Sequence, residues 1–264
     1  MKYKFMAVDI DGTLLNSSGQ LTEKTVEAVR KAAAAGVVVS LSTGRPLQGV
    51  TKFVKALGLE DTPCILYNGA LVYYSGEIIY SLTITPSVAE KVVKEGHARN
   101  STMICWANNA LYAEADNEKI RFYKSISGVE PIIVDDLSSL KNEGITKFVW
   151  YDDEQSTPRY YAEMLAIMGE EIGVYPSRKD FLEFVNKDCS KATAIKSITD
   201  RLGIKREEIV AVGDGFNDVP MLEYAGLGVA MGNADDRVKR RADFVTSSCD
   251  EDGLASLIEN VILK

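Results

Sequence analysis

Short continuous apolar runs alternate with amphipathic stretches at both ends of the chain, and the rhythm changes in between. Near the start, FMAV and VVVSL are unbroken runs of the kind that form buried parallel strands, and LTEKTVEAVRKAAAAG lies between them with apolar positions 26, 29, 32 and 33 at helical spacing. Thr22 is placed to cap that helix and Gly36 to end it. LQGVTKFVKALG predicts a second helix, with Pro46 as its start. LVYY and EIIY flank Ser75-Gly76, a two-residue turn signal that predicts a β-hairpin.

From about Leu82 to Asn186, strand-like MICWA, ALYAEA, PIIVDD, KFVWYD and FLEFV are interleaved with helical SVAEKVVKEGHARN and RYYAEMLAIMGE. After Lys187 the first rhythm returns: helical KATAIKSITDRLGI, the strand EEIVAVGD, helical NDVPMLEYAG, the strand LGVAMG, then DDRVKRRAD, DFVTS and a last helix from about Glu251. The pattern predicts an α/β fold: a doubly wound, mostly parallel, Rossmann-like sheet built from residues 1–82 and 187–264, with an α+β domain inserted over residues 83–186.

Composition narrows the function. The 264 residues carry 30 Lys and Arg against 38 Asp and Glu, a net charge of −8, which argues against a nucleic-acid surface and for small molecules and cations as partners. Cys64, Cys105, Cys189 and Cys249 form no CxxC pair, so zinc ribbons and dithiol redox motifs lack support. No apolar run reaches the roughly 18 residues of a membrane span, and the apolar start is interrupted by Asp9, so a cytoplasmic protein without membrane contact is expected. The single histidine, His97, excludes paired-histidine metal motifs and reads as an exposed helix residue.

Ligands of open α/β sheets bind beyond the carboxyl ends of the strands. The polar residues there are Asp9, Asp11, Gly12 and Thr13 after FMAV, then Ser42, Thr43, Gly44 and Arg45 after VVVSL, then Asp214, Gly215, Asn217 and Asp218 after IVAVG. Lys191 stands at the head of the helix that leads into that last strand. Brought together, the carboxylates require a cation, and an all-oxygen set without His or Cys suits Mg²⁺. An EF-hand is excluded by register, because counting from Asp9 the glycine falls fourth and the twelfth residue is Gln20.

In this order MAVDIDGTLL, LSTGRP, CSKATAI and VGDGFNDVPML resemble the signature of the haloacid dehalogenase superfamily. ILYNGALV, GVAMGNA and the size of the insertion are similar to its Cof-type, sugar-phosphatase-like branch. Lys191-Ala192 departs from the Lys-Gly common in relatives. The resemblance implies a catalytic core with an inserted cap that serves as a substrate-specificity lid. It also implies an Mg²⁺-dependent phosphatase acting on phosphate monoesters of small metabolites, sugar phosphates foremost, through an aspartyl-phosphate. Asp9 is then the nucleophile and Asp11 the general acid and base. Thr43, selected over Ser42 by the match, and the Gly44 amide bind phosphate oxygens, and Lys191 neutralises charge. Asp9, the Asp11 carbonyl and Asp214 hold the metal, with Asp218 direct or through water. Asn217 supports the phosphate or Lys191, while Arg45 either contributes there or makes an outward salt bridge.

In the insertion, Trp106, Tyr112 and Tyr175 either stack on a sugar or lie in the core. Arg178 and Lys179 either meet an anion or occupy a solvated turn. The expected oligomeric state is a monomer or weak homodimer. The alternatives are a phosphomutase of the same superfamily, and a receiver-type phospho-acceptor module, which Asp11 and the insertion disfavour.

Overall fold

A computed structural model describes residues 2–264. β1 (Phe5–Val8) is completely buried. α1 (Glu23–Ala34) opens where the Thr22 hydroxyl accepts the Thr25 amide hydrogen at 3.2 Å, and Gly36 turns the chain out of the helix at a φ of +94°. β2 (Val38–Leu41) follows. Pro46 does not start the next helix: a single 3₁₀ turn at Leu47–Gly49 intervenes, and α2 (Thr51–Leu57) begins only after it, ending at a left-handed Gly58. β3 (Cys64–Leu66), β4 (Leu71–Tyr74) and β5 (Glu77–Ser81) form a small sheet, and the β4–β5 turn places both Ser75 and Gly76 at positive φ, as a twist-matched two-residue hairpin demands.

The middle segment runs α3 (Pro86–Ala98), β6 (Thr102–Ala107), β7 (Ala110–Ala113), α4 (Glu118–Ser127), β8 (Ile132–Ile133), β9 (Ile145–Tyr151), α5 (Ser156–Met168), β10 (Ile172–Arg178) and β11 (Phe181–Asn186). Helix α4 was not among the sequence expectations. Its segment is densely charged and buries only Ile120 and Tyr123, too short a stripe to stand out, although the Asn117 side chain caps it by accepting the Ile120 amide hydrogen at 3.0 Å.

The return is α6 (Lys191–Leu202), β12 (Ile209–Gly213), α7 (Val219–Tyr224), β13 (Leu227–Ala230), α8 (Asp236–Lys239), β14 (Phe244–Val245) and α9 (Gly253–Leu257), the last continuing into a π turn at Ile258–Ile262. The final helix thus starts at Gly253, after a 3₁₀ turn at Cys249–Glu251.

The chain divides into two compact units. One takes the chain up to Arg45 with Val50–Tyr80 and Ser190–Lys264, and the other takes Pro46–Gly49 with Ser81–Cys189. The first contains a five-stranded sheet in the order β14-β13-β12-β1-β2, every pair parallel. Phe5 and Ala7 face α6 and α7 through Ile195, Ile198, Met221 and Leu222, while Met6 and Val8 on the opposite face are equally buried, with α1 packed along β2 and against α9. This is the doubly wound α/β arrangement, and burial on both faces is why its strands read as unbroken apolar runs. The second unit has a six-stranded, largely antiparallel sheet in the order β10-β11-β9-β6-β7-β8, in which only β7 and β8 pair in parallel. No helix among the described residues is long and apolar enough to cross a membrane.

Candidate active site

The parallel register places three candidate segments side by side. Val8 pairs with Leu41 on one flank and Val212 on the other, so the residues following each strand emerge at the same edge. There Asp9 donates its amide to Val212 O at 3.0 Å, and Ser42 donates its amide to Val8 O at 2.8 Å. The loop after β1 closes on itself, with the Leu14 amide donating to Asp9 O and the Leu15 amide to Ile10 O.

Lys191 reaches this edge from the first turn of α6. Its helix is fixed by a capping box in which Ser190 and Thr193 satisfy each other's backbone amides. Fully buried, Lys191 donates from Nζ to Asp9 Oδ1 at 2.5 Å and to Asp218 Oδ1 at 2.6 Å. The second Asp218 oxygen accepts the amides of Asp214 at 3.0 Å and Gly215 at 2.9 Å, closing the GDGFND loop around one carboxylate. Carboxylate oxygens of Asp9, Asp214 and Asp218 lie within 4.8 Å of one another.

Electrostatics follow from this crowding. Burial pushes the Asp9 carboxyl up to about 7; Lys191 opposes the shift and Asp218 adds to it. Asp214 is pushed up to about 6, again by burial first and then by Asp218, with the Thr13 hydrogen bond pulling the other way. For Lys191, burial works to lower the pKa, but the attraction of Asp218 and Asp9 outweighs it and the ammonium is held charged. One ammonium, bonded to two carboxylates with a third beside them, leaves a deficit of positive charge. The donor set is all oxygen, two members are buried, and a hard divalent cation fits it.

The other expected residues divide between this cluster and its margin. Thr43 is buried, and its hydroxyl oxygen accepts the Arg45 amide at 3.2 Å, leaving the hydroxyl hydrogen for another acceptor. Neighbouring Ser42 is buried with its hydroxyl unpaired among the described residues. Gly44 packs against the side chain of Asn68, which a Cβ at 44 would approach to 3.1 Å. Asn217 donates to the same Asn68 Oδ1 at 3.0 Å rather than to Lys191. Asp11 is not drawn into the cluster: its exposed carboxylate is gripped by Arg45 from two nitrogens, at 2.9 and 2.5 Å. Of the two roles open to Arg45, the structure thus contains the salt bridge, and its partner is Asp11.

Three residues were not singled out as site residues. Thr13 donates from Oγ1 to Asp214 Oδ1 at 3.1 Å. Asn233 ties the Gly12 carbonyl to the Asp214 side chain, donating at 2.9 and 3.4 Å while its own oxygen accepts the Cys249 amide. Asn68 sits at a φ of +57° in a turn after β3 and donates its amide to Thr43 O. The signals were present in DGT, NG and GNA, but their partners are far away in sequence. Gly12 is required twice over: its φ is +80°, and a Cβ there would lie 2.3 Å from Asp214 Oδ2.

In the second unit, Trp106 proves to be a core residue, buried and donating to Tyr123 OH at 3.0 Å, and Tyr112 packs half-buried against the core, whereas Tyr175 is exposed. Arg178 pairs with Asp180 and lies over the Phe122 and Phe181 rings, and Lys179 pairs with Glu154, so this turn is engaged in its own contacts. His97 is exposed, as expected, and its Nε2 is 2.8 Å from the Glu114 carboxylate, which also accepts the Leu137 amide.

This geometry, a parallel sheet whose strand ends gather acidic residues and one buried lysine, suits the binding of a divalent cation and an anionic group at one edge. The family model for haloacid dehalogenase-like hydrolases matches residues 6–258. The Bacillus subtilis protein named "Putative phosphatase YxeH" is 31% identical over 267 residues, spanning 99% of each chain. A haloacid dehalogenase-like hydrolase from Bacteroides thetaiotaomicron superposes with a TM-score of 0.90 at 27% identity, covering 98% of this chain and 100% of that one. A sugar phosphatase of haloacid dehalogenase subclass IIB gives a TM-score of 0.84 at 26% identity, over 99% of this chain and 100% of its own. The chain belongs to the haloacid dehalogenase-like hydrolases, in their Cof-type branch, and is a phosphatase.

Proposed function

We propose that the protein is an Mg²⁺-dependent phosphatase that hydrolyses phosphate monoesters of small metabolites, sugar phosphates foremost, through an aspartyl-phosphate on Asp9. The observation that carries this reading is the buried Lys191 bridging Asp9 and Asp218 beside Asp214, a nucleophile, a counter-charge and a metal-type donor set joined at one sheet edge.

Phosphoryl transfer spreads charge over the equatorial phosphoryl oxygens, so positioning and positive charge do most of the catalytic work. Asp9 attacks phosphorus and forms an acyl-phosphate bond as the bond to the leaving oxygen breaks. Asp11 gives its proton to that oxygen and then takes one from the water that cleaves the intermediate. Arg45 holds the Asp11 carboxylate from two nitrogens and so sets where this acid and base rests, which makes Arg45 a positioning residue. Thr43 Oγ1 and the Gly44 amide hold phosphoryl oxygens, and Asn217 is oriented for the same phosphate by Asn68. Lys191 neutralises charge passing between Asp9 and phosphate.

Asp9, the Asp11 carbonyl and Asp214 would hold Mg²⁺, which supplies charge neutralisation of the phosphoryl group when bound. Both Asp218 oxygens are already engaged, so Asp218 serves the ion through water while orienting Lys191 and the loop.

The test is phosphate release from a panel of sugar phosphates, nucleotides and cofactor phosphates with and without Mg²⁺, alongside Asp9→Asn and Asp11→Asn. Release is expected only with the metal, and the Asp9→Asn loss is expected to exceed about a thousandfold. Activity that survives Asp9→Asn overturns the nucleophile assignment.

A further inference from the structure

Strands β1, β12 and β13 lie side by side in parallel and end at the same edge. The loop after β1 carries Gly12, the loop after β12 carries Asp214, and the turn after β13 carries Asn233. Asn233 reaches from its own strand end to both of the other loops: its Nδ2 donates to Gly12 O at 2.9 Å and to Asp214 Oδ2 at 3.4 Å. Both acceptors are electron-rich oxygens, so without a shared donor they push each other apart. The approach is limited from the other side, because Gly12 has no Cβ and Asp214 Oδ2 lies 2.3 Å from where one would be. Contact thus sets the minimum spacing of the two loops, and the Asn233 amide sets the maximum.

The donor is itself held. Asn233 Oδ1 accepts the Cys249 amide at 2.9 Å, the first amide of the 3₁₀ turn Cys249–Glu251 and one that a helical start leaves without an internal partner. The segment before that turn runs against the turn after β13: Thr246 donates its amide to Ala230 O at 3.0 Å, and Gly232 donates its amide to Ser247 O at 3.1 Å. Gly232 makes this approach possible, since a Cβ there would come within 2.7 Å of the Ser248 nitrogen. Two further bonds fasten the same C-terminal segment to the chain after β1. Ser17 donates its amide to Asp250 Oδ1 at 2.9 Å, and Thr22 Oγ1 donates to Asp252 Oδ1 at 2.7 Å. Asn233 is exposed and adds nothing to the core, so what it contributes is the orientation of its polar partners.

A held spacing matters for the size of an ion. Mg²⁺ demands near-octahedral oxygens at about 2.0–2.1 Å, whereas Ca²⁺ takes roughly six to eight at about 2.3–2.6 Å and tolerates flexible, irregular sets. Asp214 and the Asp11 carbonyl, one residue before Gly12, are the donors whose separation this brace controls. Donors held close together favour the smaller ion, and donors free to spread favour the larger. Groups that orient metal ligands without touching the ion change its affinity about 10–100-fold when removed.

We propose that Asn233 is a positioning residue that fixes the spacing of the Asp11–Gly12 and Asp214 loops and thereby makes the site select Mg²⁺ over Ca²⁺. The inference rests on the metal assignment in the phosphatase reading above and adds a residue, outside that ligand set, that decides which ion fits.

The test is isothermal titration of the full-length wild type, Asn233→Ala and Asn233→Asp with MgCl₂ and with CaCl₂, in the absence of substrate. Asn233→Asp keeps the size of the side chain and the acceptor for the Cys249 amide while removing the donors, so a folding defect in Asn233→Ala does not obscure the result. In both variants the ratio of the Ca²⁺ Kd to the Mg²⁺ Kd is expected to fall by about tenfold or more from its wild-type value. A ratio that stays unchanged in either folded variant overturns the proposal, including the case in which both ions weaken in parallel, which marks a structural role. A wild type that shows no preference for Mg²⁺ over Ca²⁺ overturns it outright. Phosphate release by the same wild-type preparation separates the two readings: binding of Mg²⁺ without release from any ester defeats the phosphatase reading while the titration still decides this one, and release with an unchanged ratio defeats only this one.

Discussion

Among the described residues each of the two units buries one lysine, and the two are held differently. Lys191 lies at a helix start beside the carboxyl ends of parallel strands, and two carboxylates hold it at 2.5 and 2.6 Å. Lys147 lies in the middle of an antiparallel strand and has a single longer contact. The difference follows from sheet type. A parallel sheet covered on both faces has no room for charge along its strands, so its chemistry collects where the strands stop. An antiparallel sheet can leave one face to polar residues and carry recognition on the strands themselves. One unit thus gathers its buried charge at a point beyond the strands, and the other places it within a strand.

Several substitutions break or sharpen that contrast. The largest effect is expected from Lys191→Met, which strands two buried carboxylates: about 3–5 kcal/mol of stability is lost, as for a broken buried ion pair, together with phosphatase activity. Lys147→Met leaves one largely buried carboxylate, Glu183, unpaired rather than two and should cost less, about 1–3 kcal/mol. Chemical denaturation of both variants measures the difference, and equal losses would erase the distinction.

Gly12→Ala comes next. A left-handed backbone costs a non-glycine residue roughly 1–2 kcal/mol, and the added methyl group collides with Asp214. Isothermal titration should register a weaker Mg²⁺ affinity in this variant, with the second unit's sheet unaffected.

The acidic cluster also predicts a pH dependence. The folded-state pKa values of Asp9 and Asp214 lie above their ordinary value of 3.8, at about 7 and about 6. The folded state therefore binds more protons than the unfolded one between these limits. The stabilising contribution of the two groups is complete below about pH 4 and is lost as pH rises through 6 and 7. Thermal melting in the presence of a chelator should follow that decline, and added Mg²⁺ should flatten it. The smallest effect on stability is expected from Arg45→Ala, under about 1 kcal/mol because the pair with Asp11 is partly exposed. Its kcat should nevertheless fall and its pH–rate profile change relative to wild type, since Asp11 loses its positioning partner.

Much of this was legible before any coordinates. The runs FMAV, VVVSL and IVAVG are strands because both faces of their sheet are buried, and Thr22 and Ser75-Gly76 carry local signals that act within three residues. Helix α4 was hidden because its burial rests on two side chains. The fate of Trp106 and Tyr175 was open because aromatic residues serve cores and surfaces alike; a strand's two faces are distinguished only by what packs on them.

The sequence by itself determined the elements, their order and the chemical types at the strand ends, since helical and strand periodicity, caps and turns all act over a few residues. The tertiary structure alone decided that Lys191 meets Asp9 across 182 positions, that Arg45 holds Asp11 apart, and that both Asp218 oxygens are engaged. Those outcomes depend on strand order and on the angle at which each loop leaves the sheet, and both are set by the packing of the whole unit.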